Sequence, residues 1–260
     1  MNPISETLSR LSGDRIRKTQ ERLLAAHFSP YVASVELDGV HASLTIDRRV
    51  EVHRIAEFDG KADHIADMVR ETRADDVFWD VGSYLGLVAV FAGRRAARGK
   101  VVAIEPEPDC AKRLRDNLLR NGLESAEVIQ CGVGDVEGTL PLNTEGEEGN
   151  MASFSSIDLP NRVNVEVHML DRLVGQRREA PPTILNIDVP GWEVRVLRGA
   201  HETLRSPALR SVFIEVHPTM LIRAGESFSE LFGLLELAGF HAMSCVAREQ
   251  ELHFRFGRRQ

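Results

Sequence analysis

Short apolar runs in this chain end in residues that can do chemistry. VFW is followed by Asp80-Val81-Gly82, KVVAI by Glu105-Pro106, and TILNI by Asp188, while FIEVH carries Glu215 and His217. In DVGSYLG, Gly82 and Gly86 let the chain turn sharply and bring backbone amides up to a ligand at a helix N-terminus. Their spacing is G-x-x-x-G, not the G-x-G-x-x-G of a dinucleotide turn, so a nucleoside ligand without a pyrophosphate fits better than NAD. Glu105 follows Asp80 by 25 residues, where an acid at the end of a second strand can accept both ribose hydroxyls of an adenosine. Glu215 and His217 alternate on a predicted strand, so both point to one face. An imidazole whose unperturbed pKa lies near neutrality is the best general-base candidate in such a set.

The elements that must position these groups are legible in the hydrophobic periodicity. The pattern predicts a helix over 5–27, short antiparallel strands over 34–46 and 49–55 with a turn at Asp38-Gly39, and a helix over 61–73. Strands follow at 77–82, 100–108, 126–135, 183–191 and 209–217, with helices between them. The helix over 109–122 closes on Asn121-Gly122, the run from Trp192 through Arg205 reads as one helix, and another spans 227–238. HAMSCVAR and ELHFRFGR read as a terminal hairpin, and 143–150 as an acidic, Gly-rich loop tip. Strands alternating with helices predict an α/β fold: a mostly parallel sheet, helices on both faces, and a C-terminal antiparallel hairpin. The expected division is an N-terminal extension over 1–74 and a main domain over 75–260.

Composition narrows the function. The chain has 260 residues, 43% of them hydrophobic and 27% charged, which is globular composition and excludes a disordered tail or a fibrous repeat. A net charge of −7 disfavours nucleic acid as a partner. No window holds the ~18 apolar residues of a membrane helix. Cys110, Cys131 and Cys245 are odd in number and far apart, which argues against a disulfide framework or a cysteine zinc site and suits a reducing cytoplasm. Asp188, Glu215 and His217 could together hold a metal ion, but no ligand spacing demands one, and none is expected.

Taken in order, DDVFWDVGSYLG, VVAIEPEP, LRDNLLRNG, CGVGDVEG, ILNIDVPGWEVRVLRGA and FIEVHP resemble the FkbM family of S-adenosylmethionine-dependent methyltransferases over roughly residues 45–220. The family pattern is a DVGAN-x-G turn, a strand ending in Glu-Pro, a (K)IDVEGAE segment and a late E-x-H. The resemblance implies a class I, Rossmann-like methyltransferase fold, S-adenosylmethionine as cofactor, and O-methylation of a hydroxyl on a sugar, glycolipid or secondary metabolite. Position by position, it places the cofactor on Asp80, Gly82, Ser83 and Gly86 of the turn and on Glu105 and Pro106. It also lays Gly132 and Val133, in the loop Cys131–Asp135, beside the adenine. Asp188, Glu215 and His217 are then the catalytic candidates facing a small-molecule or glycan acceptor.

The chain departs from that pattern at informative places. Tyr84 stands where the family has Asn, Asn186 where it has Lys, Pro190 where it has Glu, and Trp192 where it has Ala. Two rivals therefore stay open at the level of sequence. One is a non-catalytic or altered S-adenosylmethionine-binding protein of the same fold, favoured by Pro190 and Asn186. The other is an NAD-dependent oxidoreductase, disfavoured by the glycine spacing.

Overall fold

The computed structural model describes residues 31–46, 51, 58–144, 154, 161–177, 180–248 and 250–258. The helix expected over 5–27 and nearly all of the strand expected over 49–55 lie outside these residues. The hairpin of β1 (Tyr31–Leu37) and β2 (Val40–Ile46) turns at Asp38 and Gly39, both with positive φ, as a two-residue hairpin turn requires. Helix α1 (Phe58–Glu71) then leads into β3 (Val77–Val81), α2 (Leu87–Arg95), β4 (Lys100–Ile104), α3 (Pro108–Arg120) and β5 (Glu127–Ile129).

Next come β6 (Gly132–Val133), β7 (Gly138–Asn143), β8 (Arg162–His168) and α4 (Leu170–Gly175). The chain continues through β9 (Ile184–Asp188), α5 (Glu193–Arg198), α6 (His201–Arg205), β10 (Ser211–Val216), α7 (Pro218–Arg223) and α8 (Phe228–Leu237). It ends in β11 (Phe240–Arg248) and β12 (Glu251–Arg258).

The main sheet has seven strands in the order β11-β12-β10-β9-β3-β4-β5. The five strands from β10 to β5 pair in parallel, and the terminal hairpin adds β12 antiparallel against β10. Strand order reverses between β3 and β9, and the cleft outside the carboxyl ends there is where such sheets take ligands. This is the class I methyltransferase arrangement.

Strands buried on both faces need apolar residues at every position, and alternate residues feed separate cores. Trp79, Val81, Ile104, Ile187 and Ile214 meet α4, α5, α6 and α8 on one side, while Phe78, Val101, Ala103, Ile184 and Phe213 meet α1, α2 and α3 on the other. The N-terminal hairpin is fastened to the second layer by two asparagines of α3 and its C-cap. Asn117 Oδ1 accepts from Thr45 N–H at 2.8 Å, and Asn121 accepts from Ser43 N–H and donates to Ser43 C=O. The α3 residue Arg113 forms a two-pronged ion pair with the buried Glu51.

Three expectations need correction. The segment 126–135 is not one strand: it breaks after Ile129, and Gly132–Val133 pairs with β8 in a separate three-stranded sheet with β7. The helix expected from Trp192 to Arg205 is two helices. At Gly199 the chain passes so close to β6 that an added Cβ would lie 2.0 Å from the Gly134 carbonyl oxygen. His217 is not on the strand; β10 ends at Val216, and His217 is the N-cap residue of α7.

Candidate active site

The first turn is held by hydrogen bonds to the ends of β3 and β4. Gly82 N–H and Ser83 N–H both donate to Ile104 C=O at 3.0 Å, and Ser83 Oγ donates to Asp80 C=O at 2.8 Å. Gly82 has φ +86°, and a Cβ there would sit 1.9 Å from the Asp188 carbonyl oxygen, so only glycine lets β3 and β9 close at this point. Gly86, at φ +88°, N-caps α2. Tyr84 also occupies the left-handed region, at φ +49°. Asparagine tolerates that conformation better than tyrosine does, which gives a physical sense to the family's Asn at this position.

Asp80, one residue before the end of β3, is fully buried; Asn186, its register partner on β9, donates to its Oδ1 at 2.8 Å, while Oδ2 has no hydrogen-bond partner. Burial pushes its pKa up to about 6, partly offset by the hydrogen bond from Asn186. Glu105 is buried just beyond β4. Its two carboxylate oxygens accept from the backbone N–H groups of Glu107 and Tyr84, both at 2.9 Å. Burial outweighs these donors and raises its pKa to about 7.

At the carboxyl ends of the next two strands, Asp188 and Glu215 are register partners. His217 reaches back over them. Its Nδ1 lies 3.1 Å from Glu193 Oε1, which also accepts from the His217 backbone N–H at 3.0 Å. Its Nε2 faces Glu215 Oε1 at 3.6 Å, Glu251 Oε1 at 3.8 Å and Asp188 Oδ1 at 4.0 Å. Burial alone would lower the imidazole pKa. The bond to Glu193 and the charges of Asp188 and Glu215 override it and carry the pKa up to about 9. The ordinary near-neutral pKa that recommended His217 as a base is therefore not the one this environment gives it; the ring holds a proton at neutral pH.

The structure brings Asp80, Gly82, Ser83, Asp188 and Glu215 to one cavity, with Asn186, Tyr84 and Arg248 beside them and Leu44, Glu51, His64, Ile65 and Met68 opposite. It does not bring every expected residue there. Glu105, which joins the turn through Tyr84, does not line this cavity, nor do Gly86 and Pro106, and His217 meets it only through Asp188 and Glu215. Gly132 and Val133 lie in the second sheet, where Gly132 is covered by Phe154 and Val167.

Sequence reasoning passed over Glu193, Glu251 and His253. Glu193 carries only a weak signal, a carboxylate in the first turn of a helix that also holds Arg195 and Arg198; its complete burial shows only in the fold. Glu251 and His253 carry none, because they reach the site only through insertion of β12 beside β10.

Pro190 proves to be part of a β-turn. Trp192 N–H donates to Val189 C=O at 2.9 Å, with Pro190 second and Gly191 third at φ +71°, the type II pattern. Trp192 stacks on Phe154 with ring centroids 4.9 Å apart and packs over Gly134, where an added Cβ would meet its Nε1 at 2.9 Å.

Comparison with known proteins decides the family. The sequence profile of the Methyltransferase FkbM domain matches residues 80–242, from the first turn to the terminal hairpin. This chain belongs to the FkbM methyltransferase family. It is 30% identical over 207 residues to the hexuronic acid methyltransferase AglP of Haloferax volcanii, covering 73% of this chain and 75% of that protein. It is 29% identical over 177 residues to the 31-O-demethyl-FK506 methyltransferase FkbM of Streptomyces tacrolimicus, covering 56% and 67%. Among solved structures, the methyltransferase FkbM from Methylobacillus flagellatus aligns with a TM-score of 0.49 at 14% identity, over 93% of this chain and 60% of that one.

As an FkbM methyltransferase, the chain uses S-adenosylmethionine. Its turn fits that cofactor: Asp80 holds a buried carboxylate oxygen without a hydrogen-bond partner at the start of the Gly82–Gly86 turn. Among the described residues, no helix is long and apolar enough to cross a membrane.

Proposed function

We propose that this enzyme transfers a methyl group to a hydroxyl of a sugar, a glycolipid or a secondary metabolite. The carrying observation is the cluster of Asp188, Glu215 and His217 at the carboxyl ends of β9 and β10, one strand over from the cofactor turn. S-adenosylmethionine, when bound, supplies an electrophilic methyl on a sulfonium. The cofactor is held by Asp80, Gly82, Ser83, Gly86, Glu105 and Pro106, with Gly132 and Val133 as the adenine-side contacts. Transfer of that methyl to a hydroxyl would require the hydroxyl proton to leave to a nearby base. Asp188 and Glu215 take that proton, and His217, fixed by Glu193, orients the acceptor. Alignment of the two substrates supplies the rest of the acceleration.

The acceptor wall contributed by Leu44, Glu51, His64, Ile65 and Met68 comes from residues before 75. We therefore assign residues 75–260 to methyl transfer and residues 1–74 to acceptor recognition. AglP is a hexuronic acid methyltransferase by name, and Arg248 beside the cavity suits an acidic sugar. The acidic net charge and the free cysteines Cys110, Cys131 and Cys245 agree with a cytoplasmic enzyme that does not act on nucleic acid.

The test is incubation with methyl-labelled S-adenosylmethionine and a panel of hexuronic acids, hexoses and crude metabolite extract, followed by mass analysis. A product gaining one methyl that survives mild alkali is the expected ether. Methyl groups lost in alkali identify carboxylate esters and overturn the hydroxyl assignment.

A further inference from the structure

The described residues contain a cluster whose geometry exceeds what proton handling needs. His217 is 8% exposed, and its Nε2 has no hydrogen-bond partner although three carboxylates surround it. The distances from Nε2 to those oxygens, 3.6, 3.8 and 4.0 Å, are too long for hydrogen bonds. They fall between the two separations that one ion imposes at bonds of ~2.1 Å, about 3.0 Å for neighbouring ligands and about 4.2 Å for opposite ones, so small side-chain shifts bring these groups onto one ion. One ligand atom each from Asp188, Glu215 and His217 lies within 4.8 Å of the others.

The other ring nitrogen is already engaged. Glu193, wholly buried, accepts at 3.1 Å from Nδ1, so a bound ion displaces the proton of Nε2 and takes that nitrogen as its ligand. A carboxylate behind a ligating histidine is the usual outer support of a metal site. Asp188 Oδ1 is likewise buried without a hydrogen-bond partner and faces the same point.

We propose that Asp188, Glu215 and His217 bind one divalent transition-metal ion, with Glu251 in reach as a fourth ligand. Two or three carboxylates with one imidazole suit ions from Mn²⁺ to Zn²⁺. Asp188 and Glu215 line the cavity, so the ion faces the acceptor. An acceptor hydroxyl bound there is polarised and gives up its proton more readily. This inference rests on reading the cavity as the acceptor site; it makes His217 a ligand in place of the residue that orients the acceptor, and leaves the non-ligating carboxylate oxygens of Asp188 and Glu215 to take the hydroxyl proton. A second group of Glu215, Glu251 and His253 shares one carboxylate and lies deeper, with His253 2% exposed. The first group is preferred because it opens on the cavity and has its histidine braced by Glu193.

The experiment titrates Mn²⁺ into chelator-treated full-length protein, following free Mn²⁺ by electron paramagnetic resonance, with Zn²⁺ and Mg²⁺ as competitors. The expected result is one site per chain, weakened strongly by Asp188→Asn and by roughly 10- to 100-fold in Glu193→Gln, the size seen for outer-shell changes. Circular dichroism confirms that each variant is folded, and the wild-type titration stands even if one is not. Absence of Mn²⁺ and Zn²⁺ binding overturns the site. So does binding that survives Asp188→Asn but is lost in His253→Ala. Methyl transfer that persists in chelator with no ion bound overturns this inference and leaves the function standing. Ion binding without transfer to any acceptor overturns the function and leaves the site.

Discussion

Asn186 donates to the buried carboxylate of Asp80 at 2.8 Å across the β3–β9 ladder, at the point where strand order reverses. The family pattern has a lysine at position 186, so here a neutral donor serves where a cation otherwise stands. Burial accordingly keeps the Asp80 pKa at about 6, above the ordinary 3.8. A raised carboxyl pKa means that ionisation costs stability as pH rises from the unfolded value through the folded one. Asn186→Ala removes the donor and should destabilise the protein by about 1.5–3 kcal/mol where Asp80 is charged. Urea unfolding at about pH 7.5 should show the full deficit and at about pH 5 a smaller one, because Asp80 is then largely protonated. Equal deficits at both values would remove Asp80 from the account.

Glu105 makes a separate, pH-linked prediction. Its pKa is about 7 in the protein without cofactor, and ribose hydroxyls bind best to the ionised form. S-adenosylmethionine affinity should therefore fall as pH drops through that value, and binding below it should release a proton detectable by calorimetry in buffers of different ionisation enthalpy. Glu105→Ala should cost about 1.5–3 kcal/mol of binding and flatten the profile near neutrality. An unchanged affinity in that variant sinks the ribose assignment.

Gly82 tests the closeness of the two central strands. Alanine there would have to adopt φ +86° and place its Cβ 1.9 Å from the Asp188 carbonyl oxygen. The left-handed conformation alone costs about 1 kcal/mol, and displacing the end of β9 adds to it. Gly82→Ala should lower the melting temperature and abolish cofactor binding. Gly138, which also has positive φ but open space around it, is the control: Gly138→Ala should leave cofactor affinity at the wild-type level.

Pro190 should be dispensable for folding. It is the second residue of a type II turn, where its fixed φ is favourable but not required. Pro190→Glu restores the family's carboxylate and should change stability by no more than about 1 kcal/mol. Steady-state kinetics should show altered acceptor turnover with unchanged cofactor affinity. Unfolding of the variant would make the proline structural and the comparison at this position misleading.

The sequence by itself determined what neighbours in the chain can settle. Gly82, Gly86 and the strand-ending Asp80, Glu105 and Asp188 are legible because a tight turn or a strand end is specified by residues adjacent to it. The alternation of apolar runs gave the parallel sheet and its terminal hairpin, and the ordered motifs gave the family. Where an element ends because of a distant contact, sequence reading ran on: at Gly199 the break in the helix is imposed by Gly134, 65 positions earlier.

The chemistry of the site was decided only by tertiary structure. Glu193 behind His217, and Glu251 in front of it, come from separate elements and carry no shared spacing. Against the lowering effect of burial, the bond to Glu193 and the charges of Asp188 and Glu215 turn an imidazole that reads as a neutral base into one that keeps its proton to about pH 9. A pKa depends on burial and on charges within a few ångströms, and those distances are set by which strands the fold lays side by side.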